Sequence, residues 1–172
     1  MKHVSIDLSQ RRPPIQLDAR GLRNLEVNLE QDLAHYGGQL PRRSVIAWHA
    51  FLSAMIEWGI LVFAEYRRLV VHLPEFPGDP VERVLMGRAL SYRHGRDEIT
   101  SAELEALSTR IQAAMSEADG VLPDSLAVAW HAYIAALQVY GALTLNEYRM
   151  LLALLPKVAD EDPVEPIVLG RD

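Results

Sequence analysis

Leu22, Leu25, Leu29, Leu33 and Tyr36 recur at intervals of three or four, the spacing that lines one face of an α-helix. Asp18 precedes this run as an N-cap residue, and Gly37-Gly38 follows it with the left-handed backbone that ends a helix. Trp48, Phe51, Met55 and Trp58 repeat the same spacing after Pro41, which predicts a second helix with large rings along one face, ended by Gly59. A third, shorter apolar run must stop by Pro74, because a proline removes a helical donor and restricts the residue before it. Asp79-Pro80-Val81-Glu82 then has the composition of a helix start, with an N-cap, proline at the first helical position and Glu at the third, and Gly87 is its terminator.

The pattern then begins again. Residues 47–74 and 129–156, aligned without a gap, are identical at 13 of 28 positions, where ordinary composition gives about two. Ala47-Trp48-His49-Ala50 returns as Ala129-Trp130-His131-Ala132, and Glu65-Tyr66-Arg67 as Glu147-Tyr148-Arg149. Aromatic and aliphatic mismatches keep their kind, as in Phe51/Tyr133 and Trp58/Tyr140. Thr100-Ser101-Ala102-Glu103 and Thr144-Leu145-Asn146-Glu147 both have the capping-box spacing, whereas Val62 stands where the first copy needs the cap hydroxyl. Tyr148, Leu151, Leu152 and Leu155 form the inward face of the second copy's third helix. Pro166 follows Asp162-Pro163-Val164-Glu165 too closely for a full helix, which predicts a single turn or an extended tail packed through Ile167, Val168 and Leu169.

The expected fold is therefore all-α: two tandem homologous helical units, each of three helices plus a short fourth element, packed as one pseudo-two-fold bundle. An N-terminal arm covers residues 1–16, the first unit 17–88, a polar linker 89–98 and the second unit 99–172. Val4, Ile6 and Leu8 alternate with polar residues, the period of a strand, so the arm is expected to lie against the bundle or meet a partner. Two copies are too few for a solenoid, which needs several stacked units for a continuous core.

Hydrophobic residues make up 49% of the chain and charged ones 23%, which is the profile of a folded globular protein and not of a disordered one. There is no cysteine, so disulfides and thiolate metal sites are excluded and a cytoplasmic location is favoured. Charge sits where a signal peptide needs its apolar run, and no stretch reaches 18 uncharged apolar residues, so neither export by that route nor a membrane span is expected. Up to residue 90 there are 11 Lys/Arg and 10 Asp/Glu; from residue 91 there are 6 against 13, a net of −7. That acidic half, with Asp160, Glu161 and Asp162 near its end, argues against nucleic-acid binding and suits a basic protein partner.

His49 and His131 occupy equivalent positions, and a pseudo-two-fold axis could join them with Glu65 and Glu147 as a metal site of two histidines and two carboxylates. The Glu-x-x-His spacing of such bundle sites is missing, and both glutamates already have a capping task. Arg67 and Arg149 could clamp an anion, although an Arg kept in both copies more often bridges to a neighbouring helix. His94-Gly95-Arg96-Asp97 reads as a turn, because the phosphate- and metal-binding partners of a catalytic loop are absent. No Gly-x-Ser-x-Gly elbow and no Gly-rich phosphate loop occurs.

Each repeated residue thus has a folding role, and little remains from which to build a reaction centre. The sequence favours a non-catalytic protein-binding module without a cofactor, acting as monomer or homodimer. An inhibitor of the immunity-protein or antitoxin type fits best, held against a basic protein through Asp160, Glu161 and Asp162. The competing expectation is a metal- or small-ligand-binding helical protein, with or without enzymatic activity, with its site between the two units.

Overall fold

The carboxylate of Asp18 accepts from the Gly21 backbone N–H at 2.7 Å, so one donor left open by the first helical turn is satisfied there. The computed structural model describes residues 17–75, 100–158 and 161–171, and these form seven helices with no strand among them. In chain order they are α1 (Ala19–His35), α2 (Arg42–Glu57), α3 (Phe63–Val70), α4 (Ser101–Glu117), α5 (Asp124–Val139), α6 (Leu145–Ala153) and α7 (Glu165–Leu169). The arm 1–16, the Asp79–Gly87 element, the linker 89–98 and Asp160 lie outside the described residues. The starts of α4, α5 and α6, at 101, 124 and 145, each fall 82 positions after those of α1, α2 and α3.

The caps act as their sequences require. Thr100 accepts from Glu103 N at 3.2 Å while Glu103 takes the Thr100 N–H at 3.2 Å, and Thr144 and Glu147 do the same at 3.2 and 2.9 Å. At α3 only half of this box exists: Glu65 accepts from Val62 N at 3.0 Å, and valine has no oxygen to return the bond. Gly59 ends α2 at φ 73°, which lets Ile60 N reach back to Met55 O at 2.8 Å. Gly141 at φ 80° does the same for α5, with Ala142 N on Leu137 O at 2.8 Å.

The most extensive helix–helix contact joins α2 to α5. Ala47, Ala50 and Ala54, with Ala129, Ala132 and Ala136, are fully buried on these two helices, and small side chains allow the close approach of their backbones. The sequence pattern predicts one buried face on α2, but every residue from Ser44 to Glu57 is buried. A helix enclosed on all sides is the centre of the core and not its edge. Trp48, Phe51, Trp130 and Tyr133 are all fully buried within it.

The tail is a short helix, the single turn that Pro166 allows. Asp162 Oδ1 accepts from Val164 N at 2.9 Å in the turn before it, and regular helix begins only at Glu165, with Val164 at its N-cap. α7 packs on α1, where Asn28 donates to Ile167 O at 2.9 Å and Gln31 accepts from Arg171 N at 3.0 Å. Gly170, at φ 74°, adopts a left-handed backbone that favours glycine, and a Cβ there would also lie 2.7 Å from the Asn28 side-chain oxygen and displace it. No helix among the described residues is long and apolar enough to cross a membrane.

Candidate functional site

His49 on α2 lies with Nε2 3.0 Å from Pro74 O, and His131 on α5 lies with Nε2 3.0 Å from Pro156 O. A carbonyl only accepts, so each ring donates from Nε2 and ties the second helix of its hairpin to the segment that ends the third. His49 is 1% exposed, and burial pushes its pKa below the ordinary value against the opposing hydrogen bond to Pro74. Glu65 and Glu147 face their own helix starts, as described above. The structure does not bring these four residues together, and no group of three or more His, Asp or Glu able to hold a metal occurs among the described residues.

The repeated arginines part company. Arg67 sits with its guanidinium 5.7 Å from the Phe63 ring centre, a cation–π contact on the surface of α3. The bridge to a neighbouring helix is made instead by the next residue, Arg68, whose guanidinium holds the buried Glu26 of α1 at 2.5 and 3.1 Å. Arg149 makes neither contact, because Leu145 and Met150 stand where the first copy has Phe63 and Arg68. It lines a groove of about 640 Å³ with His131, Tyr148, Leu152, Lys157 and Asp162.

Two buried polar networks carry the rest of the interior charge. In the first, Trp48 Nε1 donates to Asp32 Oδ2 at 2.7 Å and Arg171 Nε to Asp32 Oδ1 at 2.7 Å, so a fully buried carboxylate has a partner on both oxygens. The Arg171 guanidinium also lies 5.1 Å from the Tyr36 ring centre. In the second, at the α2–α5 contact, Tyr133 donates its hydroxyl proton to Glu57 and accepts from Trp58 Nε1 at 2.8 Å. Arg110 of α4 covers this cluster, 5.5 Å from the Trp130 ring and 5.8 Å from that of Tyr133. Burial, and then the Glu57 charge, hold the Tyr133 hydroxyl far above the usual phenol range, against the pull of Arg110.

Neither network is evident from the repeat, because each depends on positions where the copies differ. Val139 stands where Glu57 has its counterpart, Asn28 where Arg110 has, and Ala114 where Asp32 has. A charge replaced by an apolar or neutral residue at a core position was the available signal. Glu57, Tyr133 and Arg110 are 2%, 0% and 8% exposed, so this cluster orders the helix interface and does not face a substrate.

Asp160, Glu161 and Asp162 carry the expected partner contact. Asp162 is exposed and accepts from Val164 N through Oδ1, and the exposed Glu161 side chain lies 3.6 Å from Arg171 while its carbonyl accepts from Arg43 at 3.0 Å. Exposed acid is found elsewhere in the second half: Glu105 and Glu117 on α4, and Asp119 in the turn after it, make no ion pair among the described residues. No protein-family model, no curated protein and no solved structure matches the chain.

Proposed function

We propose that the chain is a non-catalytic protein-binding module, a stoichiometric inhibitor of the immunity-protein or antitoxin type, which holds a basic protein through the acidic surface of its second half. The observation that carries this reading is the exposed acid at both ends of α4 and in its following turn, Glu105, Glu117 and Asp119, with Val121 77% exposed close after Asp119. The only cation on α4 is Arg110, and it is buried. A surface of one sign raises the encounter rate with a partner of the other, and an apolar residue among the charges adds area that is desolvated on docking. A cytoplasmic location accords with the absence of cysteine.

We also read the two helix sets as copies of one unit fused about a pseudo-two-fold axis. Reciprocal contacts support it: Phe51 meets Tyr140 edge to face at 6.1 Å between ring centres, and their counterparts Tyr133 and Trp58 meet through a hydrogen bond. In a two-fold arrangement a contact from i to j implies its twin from j to i. Duplication of this kind explains why the repeated residues serve folding, while the residues offered to a partner differ between the copies.

Affinity capture from the source cell with the full chain as bait, followed by mass identification, tests the proposal. One basic protein should be retained in a 1:1 complex and released as salt rises. Retention of an acidic protein, or of none, would reject it.

A further inference from the structure

The second half of the chain is acidic, yet the two exposed cations that it carries between residues 100 and 158, Arg149 and Lys157, line the same groove. Neither makes an ion pair among the described residues. Leu152, Leu155 and Val158 add apolar lining, and the volume of about 640 Å³ is that of a small-molecule site. Nothing in the repeat requires this arrangement. In the first copy the position of Lys157 is held by Glu75, and the position of Arg149 by Arg67, which is engaged with the Phe63 ring. The pair of cations that lines this groove is therefore particular to the second half of the chain.

We infer that this groove binds a small amphipathic organic anion, with its apolar body on Leu152, Leu155 and Val158 and its carboxylate or sulfonate head on Arg149 and Lys157. The planar guanidinium of Arg149 suits a two-oxygen head, which it can meet with two parallel N–H bonds. Asp162 restricts the choice. Its carboxylate is at the rim, where it accepts from Val164 N and helps, after burial, to raise the pKa of Tyr148. A second anionic group on the ligand would meet that charge, so a singly charged head is preferred. His131 forms part of the wall, with its Nε2 committed to Pro156 O and therefore not offered to the ligand from that nitrogen. The site is separate from the acidic surface of α4, and its occupancy does not depend on a protein partner.

The test titrates the full chain with anilinonaphthalene sulfonate, followed by its fluorescence, and then displaces the dye with decanoate or with decanol. Arg149 and Lys157 are exposed, so the double variant R149Q/K157Q should unfold at the same denaturant concentration as the parent. The parent should bind one dye molecule, decanoate should displace it at least about tenfold better than decanol, and the double variant should bind at least about tenfold more weakly, since charged hydrogen bonds are lost. Arg67→Gln, at the equivalent position of the first copy, should leave binding unchanged. Equal displacement by decanol, unaltered binding by R149Q/K157Q, or an equal loss in Arg67→Gln would each overturn the assignment and mark the dye as a general reporter of apolar surface.

Discussion

His49 and Asp32 show how much the environment of a single side chain decides in this fold. The folded protein holds a proton on His49 less well than the ordinary imidazole does, because burial penalises the cation. The unfolded chain therefore takes up that proton first as pH falls through about 6.5. Stability from this group is complete above that pH and is lost below it. Denaturant unfolding between about pH 7 and pH 5 should show stability falling with acid, and His49→Gln, which can still donate to Pro74 O, should flatten that slope; parent and variant curves that run parallel would refute the assignment. Asp32 presents the opposite case, a buried charge that is kept. Arg171→Ala should cost about 3–5 kcal/mol in urea unfolding, since it leaves a carboxylate buried without its cation. Asp32→Asn in the same chain should recover part of the loss, because the amide oxygen still accepts from Trp48; no recovery would mean that Arg171 acts only through packing.

Elements were the most legible level. Asp18, Thr100 and Thr144 marked helix starts, Gly59 and Gly141 marked helix ends, and Pro166 limited the tail to a short turn, each through a local steric or hydrogen-bonding requirement that needs no knowledge of the fold. Burial was less legible. Hydrophobic spacing assigns α2 one apolar face, but spacing cannot tell a helix that borders the core from one that passes through it, and the alanines that allow α5 to pack closely read as neutral helix formers. The polar networks were least legible, because Glu57 and Arg110 belong to different helices whose meeting is a property of tertiary packing. Rings and caps should accordingly differ in energetic weight. Trp130→Ala should destabilise by about 3–5 kcal/mol, the loss expected for a buried large ring, whereas Glu147→Ala removes one cap bond and should cost about 1 kcal/mol. Equal small losses in chemical denaturation would contradict the placement of Trp130 at the centre of the core.

At the scale of the whole molecule, similarity between the halves accounts for the helices and their caps, and difference accounts for the buried polar networks and the charge of the surface. The repeated residues build hairpins and join them through α2 and α5. The unrepeated ones set a net charge of −7 from residue 91 onward, expose Glu105, Glu117 and Asp119 around α4, and add Lys157 to the groove that the repeated Arg149 also lines. The acidity was visible in the sequence, and the structure adds how it is distributed: Glu161 and Asp162 are exposed beside the tail, with bonds to Arg43, Arg171 and Val164, and the sparser acids Glu105, Glu117 and Asp119 face solvent around α4. The most direct test of the proposed function is the association rate of the captured partner with the parent chain and with E105K/E117K, measured across ionic strength. Exposed charges are screened beyond roughly 8 Å at physiological salt, so complementary charge should act mainly on encounter. The parent should associate faster as salt is lowered, and E105K/E117K should lose most of that dependence while unfolding at the same denaturant concentration. Identical association rates for the two chains in low salt would contradict the proposal that the acidic surface of α4 receives the partner.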